Sequence, residues 1–290
     1  MTQPFPDNDN QTAQANNQTA QANNQTAQAN NQTAQANNHT TQLENETHFG
    51  FKQVPKESKR HLVGEVFDSV ASQYDVMNDL MSMGVHRLWK RFFIRFANIQ
   101  PHMKVLDLAA GTADITHLIA KKLNHTGYVI ASDINESMLT IGRDKMIDQG
   151  RVSSLGYAIA NAEYLPFPDN SFDRITIAFG LRNVTDKDQA LREMHRTLKP
   201  GGQALILEFS AVKQPLLKKL YDIYSFKVLP KIGNVVAKDG QSYQYLAESI
   251  RQHPNQETLQ AMLLDAGFAK ADFTNMQQGI VAIHRGFKSC

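Results

Sequence analysis

VLDLAAGTAD, Val105 to Asp114, is an apolar run that ends in an acid and then turns through small residues into a helix. Such a turn lets a ligand approach the backbone and presents helix N-terminal N–H groups to it. The strand before the turn is Lys104 to Leu108. The helix after it places Ile115, Leu118, Ile119 and the Lys122 stem on one face. On either side, short apolar runs alternate with amphipathic segments, the pattern of an α/β fold with a mainly parallel sheet.

Downstream, the alternation continues. A second strand, Gly127 to Ser132, leads to Asp133 and a helix from Asn135 to Gln149, and a third, Gly156 to Ala160, leads to the loop Asn161 to Ser171. The fourth strand, Phe172 to Ala178, feeds a helix that opens with Thr185 and Asp188 in capping-box spacing. That helix has the stripe Leu191, Met194 and Leu198 and closes at Pro200, Gly201 and Gly202. Gln203 to Phe209 is the fifth strand. An aromatic, basic stretch from Leu216 to Lys231 then precedes a helix with Leu259, Met262, Leu263 and Ala266 on one face. The last two strands, Phe268 to Asn275 and Gly279 to His284, have no helix between them and are expected to pair as an antiparallel hairpin at the sheet edge. Upstream, Val63, Val66, Phe67 and Val70 recur at helical spacing, and a second apolar stretch runs from His86 to Ala97. The expected fold is thus seven strands, mainly parallel with an antiparallel end strand, and helices on both faces.

Three strand ends carry polar residues. Asp107 closes the first strand. Asp133, 22 residues beyond Gly111, closes the second, where a carboxylate can accept both hydroxyls of a ribose. Asn161 and Ala162 follow the third, where a nucleobase would lie. Taken singly, Asp107 reads equally as a satisfied core acid, Asp133 as a helix cap and the Gly111 turn as a tight connection. In order, around one switch point, they point to a nucleoside cofactor. A dinucleotide site would show G-x-G-x-x-G, because a pyrophosphate must reach the helix start. Here the turn reads Ala109, Ala110, Gly111, Thr112, Ala113, Asp114. S-adenosylmethionine carries no phosphate, and Asp107 and Asp114 suit its ammonium and sulfonium.

The chain of 290 residues falls into unequal parts. Gln11 to Asn38 is four copies of QTAQANN, which offers only alanine to bury, so residues 1–48 read as a disordered tail before a domain over 49–290. The first 48 residues have no Lys or Arg and four acids. Of the chain's 30 basic and 28 acidic residues, the remainder therefore keeps 30 and 24, a net charge of +6. That balance is too mild to indicate nucleic acid, though it suits an anionic membrane surface, an acidic ligand or plain solubility. A lone Cys290 allows no intrachain disulfide, no apolar run approaches the roughly 20 residues of a membrane span, and no signal peptide is legible. The expectation is a cytoplasmic protein. The ten histidines show no pair at metal-ligand spacing, so no metal is expected.

From THFGF at Thr47 to HRGFK at His284, the folded part closely resembles the ubiquinone/menaquinone biosynthesis C-methyltransferase family. The resemblance rests on VFDSVASQYDVMNDLMSMGVHRLWKR (Val66 to Arg91), SDINESML (Ser132 to Leu139), NAEYLPFPDNSFD (Asn161 to Asp173), FGLRNVTDKDQAL (Phe179 to Leu191), LKPGG (Leu198 to Gly202), LEFS (Leu207 to Ser210) and LAESIRQHPNQETL (Leu246 to Leu259). YDVMNDLMS and FGLRNVTD are its most specific segments.

The resemblance implies a Rossmann-like class I methyltransferase that moves a methyl group from S-adenosylmethionine to a ring carbon of a polyprenylated quinol. The substrate would be demethylmenaquinol, the methoxy-benzoquinol precursor of ubiquinone, or both. It also implies cofactor contacts at Thr112, Asp133, Asn161 and Ala162, with Asp107, Gly111 and Ala178 around them. Three residues depart from the family pattern LDLAGGTGD: Ala110 and Ala113 stand where glycines are expected, and Ala178 where a serine often contributes. Alanine held at positive φ costs on the order of 1 kcal/mol, and at ordinary φ the change is harmless.

Methylation at carbon needs the ring in line with the S–CH₃ bond and a hydroxyl that gives up its proton. Arg182 and Asn183, in the loop after the fourth strand, are candidates to hold the phenolate or a bridging water, and Tyr74 with Asp75 to close as a lid. A loop anchor at Arg182 and a core tyrosine at Tyr74 are the bland alternatives. The stretch Tyr221 to Gly233, with Lys218, Lys219, Lys227 and Lys231 around it, receives the prenyl chain, rests at a membrane headgroup layer or caps the sheet. The rival readings are a cofactor-competent, weak or inactive scaffold of a quinone-biosynthesis assembly and a methyltransferase of another small molecule.

Overall fold

The computed structural model describes residues 45–71, 77–79, 82, 84–151, 153–228, 230–231, 234 and 240–290. The repeat tail and the lid residues Tyr74 and Asp75 lie outside them. The chain divides between Glu46 and Thr47, and the second unit, Thr47–Cys290, carries the main sheet, its helices and the candidate site residues.

The order of elements is β1 (Glu46–Phe49), β2 (Lys52–Pro55), α1 (Lys56–Val70), α2 (His86–Ala97), β3 (Lys104–Leu108), α3 (Asp114–Leu123), β4 (Tyr128–Asp133), α4 (Glu136–Asp148), β5 (Leu155–Ile159), β6 (Phe172–Ala178), a 3₁₀ turn (Leu181–Asn183), α5 (Lys187–Thr197), β7 (Leu198–Phe209), α6 (Pro215–Ile223), a π-helical turn (Tyr224–Val228), α7 (Gly240–Gln252), α8 (Gln256–Asp265), β8 (Lys270–Met276) and β9 (Val281–Phe287). β1 and β2 pair separately, and the main sheet has seven strands in the order β5-β4-β3-β6-β7-β9-β8. β3, β4, β5, β6 and β7 run parallel, and β9 is antiparallel to both neighbours. The reversed strand is the last of the chain, slotted between β7 and β8.

Strand periodicity divides the core in two. Along β3, Val105 joins a cluster with Trp89, Phe93, Ile115, Ile119, Leu246 and Ile250, which places α2, α3 and α7 on one face. Leu106 and Leu108 join Leu191, Met194, Leu259 and Leu263, which places α5 and α8 on the other. Both faces are covered, as a parallel sheet requires. Asp107 has the parity of Val105 and so points toward α3.

Helices α6 and α7 stand where no helix is expected, the last strand runs on to Phe287, and the starts of α5 and β7 differ from expectation. Helix α5 is capped by Asp186, whose carboxylate accepts Gln189 N–H at 2.9 Å, and not by a Thr185–Asp188 box. Thr185 is tied elsewhere, because its N–H and that of Asp186 donate to Glu163 Oε1 at 3.0 and 3.1 Å. The Pro200-Gly201-Gly202 turn does not separate helix from strand: Leu198 already pairs with Phe172, and β7 passes through the turn as a register irregularity. α4 and α8 are capped by Asn135 and Asn255, which accept Met138 N–H and Thr258 N–H, each at 2.8 Å.

Candidate active site

Between β3 and α3 the backbone is left-handed at Ala109 (φ 48°), Gly111 (φ 52°) and Ala113 (φ 65°). Ala110 has no such conformation, so its departure from glycine carries no backbone penalty. Ala113 does incur one, of the order of 1 kcal/mol. Its methyl is accommodated by Gly142 of α4, where an added Cβ would stand 2.6 Å from Gly111 O and 3.0 Å from Ala113 Cβ. A glycine in the facing helix thus lets α4 approach a turn that itself carries an extra methyl.

Gly111 N–H donates to Asp133 Oδ2 at 2.8 Å and Asn135 N–H to Oδ1 at 2.9 Å. The buried carboxylate is thereby fixed at the end of β4 with lone pairs to spare. Burial pushes its pKa up, and the backbone donors at Asn135, Gly111 and Ile134 oppose the shift. Asn161 Oδ1 accepts Glu163 N–H at 3.0 Å, so the donor this side chain offers is its NH₂.

These residues line a cleft of about 590 Å³. Gly111, Asp133, Asn161 and Ala162 are on its floor, Asn183 to Asp186 form one wall, and Arg60, Val63 and Phe67 of α1 form another. α1 is tied on both sides of the opening: Lys59 Nζ donates to Val184 O at 3.2 Å, and Asn135 Nδ2 donates to Asp68 Oδ1 at 2.9 Å. Lys59 is buried, and burial lowers its pKa to about 7, with Lys187 adding to the shift and Glu163 opposing it.

Asp107, Thr112 and Ala178 are not on that floor. They line a small hollow beside it, and the two share Ala109 and Phe179. Asp107 accepts the hydroxyls of Thr116 (2.6 Å) and Thr176 (2.7 Å), and burial raises its pKa to about 7 against those two bonds. At the same hollow Asp114 is held by Lys90 (2.8 Å) and Lys145 (2.7 Å). Burial would raise its pKa, but the two ammonium groups outweigh it and hold Asp114 at about 2.

Of the expected catalytic residues, Asn183 lines the cleft and accepts the Tyr245 hydroxyl at 3.0 Å. Arg182 points behind it. Its Nη1 donates to Phe179 O and, at 2.9 Å, to Glu208 Oε1, while its own N–H donates to Glu208 Oε2 at 3.3 Å. Nε is buried without a partner among the described residues. The guanidinium also lies 5.8 Å from the Phe209 ring centroid.

Arg60, Phe67, Lys59, Glu208, Lys90 and Tyr245 are not among the site residues expected from the sequence. Two of them left a signal there. Glu208 is an acid inside the apolar strand LILEF, and Lys90 falls on the helical stripe of Phe93, Ile94 and Ala97. Among the described residues no group of three or more His, Cys, Asp or Glu is placed to hold a metal, and no helix is long and apolar enough to cross a membrane.

Among solved structures the fold resembles a SAM-dependent methyltransferase from Aquifex aeolicus, at 16% identity with a TM-score of 0.54 over 73% of this chain and 97% of that one. It also resembles a SAM-dependent methyltransferase from Thermotoga maritima, at 18% identity with a TM-score of 0.53 over 78% and 99%. In sequence the chain is 60% identical over 242 residues to the ubiquinone/menaquinone biosynthesis C-methyltransferase UbiE of Shewanella frigidimarina, covering 83% of this chain and 96% of the relative. The UbiE of Shewanella oneidensis is 59% identical over the same shares. Residues 52–288 match the ubiE/COQ5 methyltransferase family. With that match running through the sheet, the cleft floor and the Asn183 loop, the chain belongs to the ubiE/COQ5 methyltransferase family.

Proposed function

We propose that this chain transfers a methyl group from S-adenosylmethionine to a ring carbon of a polyprenylated quinol, demethylmenaquinol or 2-polyprenyl-6-methoxy-1,4-benzoquinol, at the cytoplasmic side of a membrane. The observation that carries the reading is the cleft itself: a fixed carboxylate, Asp133, on the floor and the polar Asn183 loop on the wall. The residues fit the cofactor. Asp133 has capacity for two ribose hydroxyls, Asn161 and Ala162 would border the base, and Asp107 beside Thr112 offers a carboxyl group to an ammonium, Asp114 being already paired with Lys90 and Lys145. When bound, the cofactor supplies a methyl group on a sulfonium.

The rest of the chemistry belongs to the chain. Asn183 presents its NH₂ at the cleft wall, oriented by Tyr245, to hold the quinol oxygen as a phenolate, with solvent water taking first the hydroxyl proton and, after methyl transfer, the ring proton. Arg182 supports it from behind, with its charge largely balanced by Glu208. In this role Arg182 positions the loop and biases its electrostatics. α1, tied to Val184 and Asn135, holds the second wall in place. The alanine-altered turn gives the scaffold reading no footing, since Ala110 is unstrained and Ala113 is accommodated by Gly142.

The test is an assay of the purified protein with S-adenosylmethionine and each quinol, the product identified by mass spectrometry. A methyl group on ring carbon is expected. Methylation at oxygen, or none with either quinol, would overturn the proposal.

A further inference from the structure

Among the described residues, helix α6 has an unpartnered face. Its sequence PLLKKLYDI contributes no buried residue among those described, and Leu216, Leu220 and Ile223, at i, i+4 and i+7, are 72%, 57% and 43% exposed. Phe51, 54% exposed and stacked on Phe226 at 6.0 Å, extends the apolar surface. Lys219, Lys227 and Lys231 are exposed on the same segment, and among the described residues no acid pairs with any of them. The opposite side of α6 carries Tyr221 toward Arg251 and within the influence of Arg182. The Arg251 guanidinium lies 5.7 Å from the Tyr221 ring, and burial pushes the Tyr221 hydroxyl up to about 12 against the nearby Arg251 and Arg182.

We infer that α6 and the turn after it are the surface by which the protein sits on an anionic lipid bilayer, with the leucine stripe in the headgroup layer and the lysines against lipid phosphates. Large aliphatic side chains flanked by lysines are the composition of an interfacial helix. A second copy of the chain fits poorly. Three aliphatic side chains fall far short of the roughly 800 Å² per partner that a stable dimer buries, and a two-fold contact would bring the lysines together. The inference rests on a lipid substrate and deepens that reading: one short helix links the membrane outside to the Arg182 loop inside, so the ring can reach the cleft while its chain stays in lipid.

The experiment is co-sedimentation of the full-length protein with vesicles of phosphatidylcholine, alone or with phosphatidylglycerol, at low and high salt. Binding that requires phosphatidylglycerol and weakens with salt is expected. Leu216→Ser with Leu220→Ser, and separately Lys219→Glu with Lys227→Glu, should each lower it by at least about tenfold while S-adenosylmethionine binding, the check on folding, is unchanged. Equal binding to neutral vesicles, variants that bind like the parent, or a dimer that the serine variant dissociates would each overturn the inference. Quinol methylation with unaltered vesicle binding in the variants would sink this inference alone, whereas vesicle binding without quinol methylation would sink the functional reading alone.

Discussion

The cleft floor and its wall are built on different principles. On the floor, Asp133 is held by two backbone N–H groups, and in the hollow beside it Asp107 by two hydroxyls, neutral donors that fix a carboxyl group without pairing it to a cation. On the wall, polar groups are mostly tied to one another: Arg182 to Glu208, Lys59 to Val184 O, Tyr245 to Asn183. A floor of that kind awaits a cation and hydroxyls from outside the protein. The wall is already satisfied and contributes shape and position.

The contrast is tested hardest at Arg182. Arg182→Ala should lower turnover by about a hundredfold or more and leave the S-adenosylmethionine Kd within about threefold, because the residue stands behind the wall and not at the cofactor. The same change strands Glu208 and should cost about 3 kcal/mol or more of stability. Arg182→Ala combined with Glu208→Gln should recover much of the lost Tm but not the turnover. Full activity in that double variant would make Arg182 a loop anchor only.

Smaller, and confined to the hollow beside the floor, is a pH effect. Burial holds Asp107 at about 7, above its unfolded value of about 3.9. The stability it contributes is therefore full below about pH 4 and is lost as pH rises through about 7. Cofactor affinity should move the opposite way, rising up to about tenfold between pH 6 and 8 as the carboxylate ionises opposite an ammonium. Titration calorimetry across that range should show the rise in the parent and a flatter profile in Asp107→Asn. Parallel profiles would remove Asp107 from the cofactor's surroundings.

The smallest expected effect is at the turn. Ala113→Gly relieves the left-handed strain but loosens the unfolded chain, so the net gain should be about 0.5 to 1 kcal/mol, read by thermal unfolding. Gly142→Ala should instead destabilise, since its methyl would meet the Gly111 carbonyl oxygen and Ala113 Cβ. A stable Gly142→Ala protein would mean that α4 stands further from the turn.

The floor was legible in the sequence because its signals are local. An acid at a strand end, small residues and a helix start lie within the ten residues Val105 to Asp114, and Asp133 follows at the next strand end. The reversed last strand was legible too, because no α-helix intervenes between β8 and β9. The wall was not. Lys59 meets Val184 across 125 positions and Tyr245 meets Asn183 across 62, distances at which periodicity carries no information. Thr185 and Asp188 had the spacing of a capping box, yet Glu163 from a distant loop claimed the Thr185 N–H and moved the cap to Asp186. Their place in the loop after the fourth strand put Arg182 and Asn183 together, and only the fold separates them into one residue at the cleft and one behind it.

The decisive measurement is titration of S-adenosylmethionine into the purified protein and into an Asp133→Ala variant, with NADH as control ligand. Micromolar binding that the variant weakens by about a hundredfold, with no uptake of NADH, is the predicted result, since two hydrogen bonds to a charged carboxylate are lost. Equal affinity in the variant, or no binding by the parent, would contradict the assignment of the cleft to the cofactor.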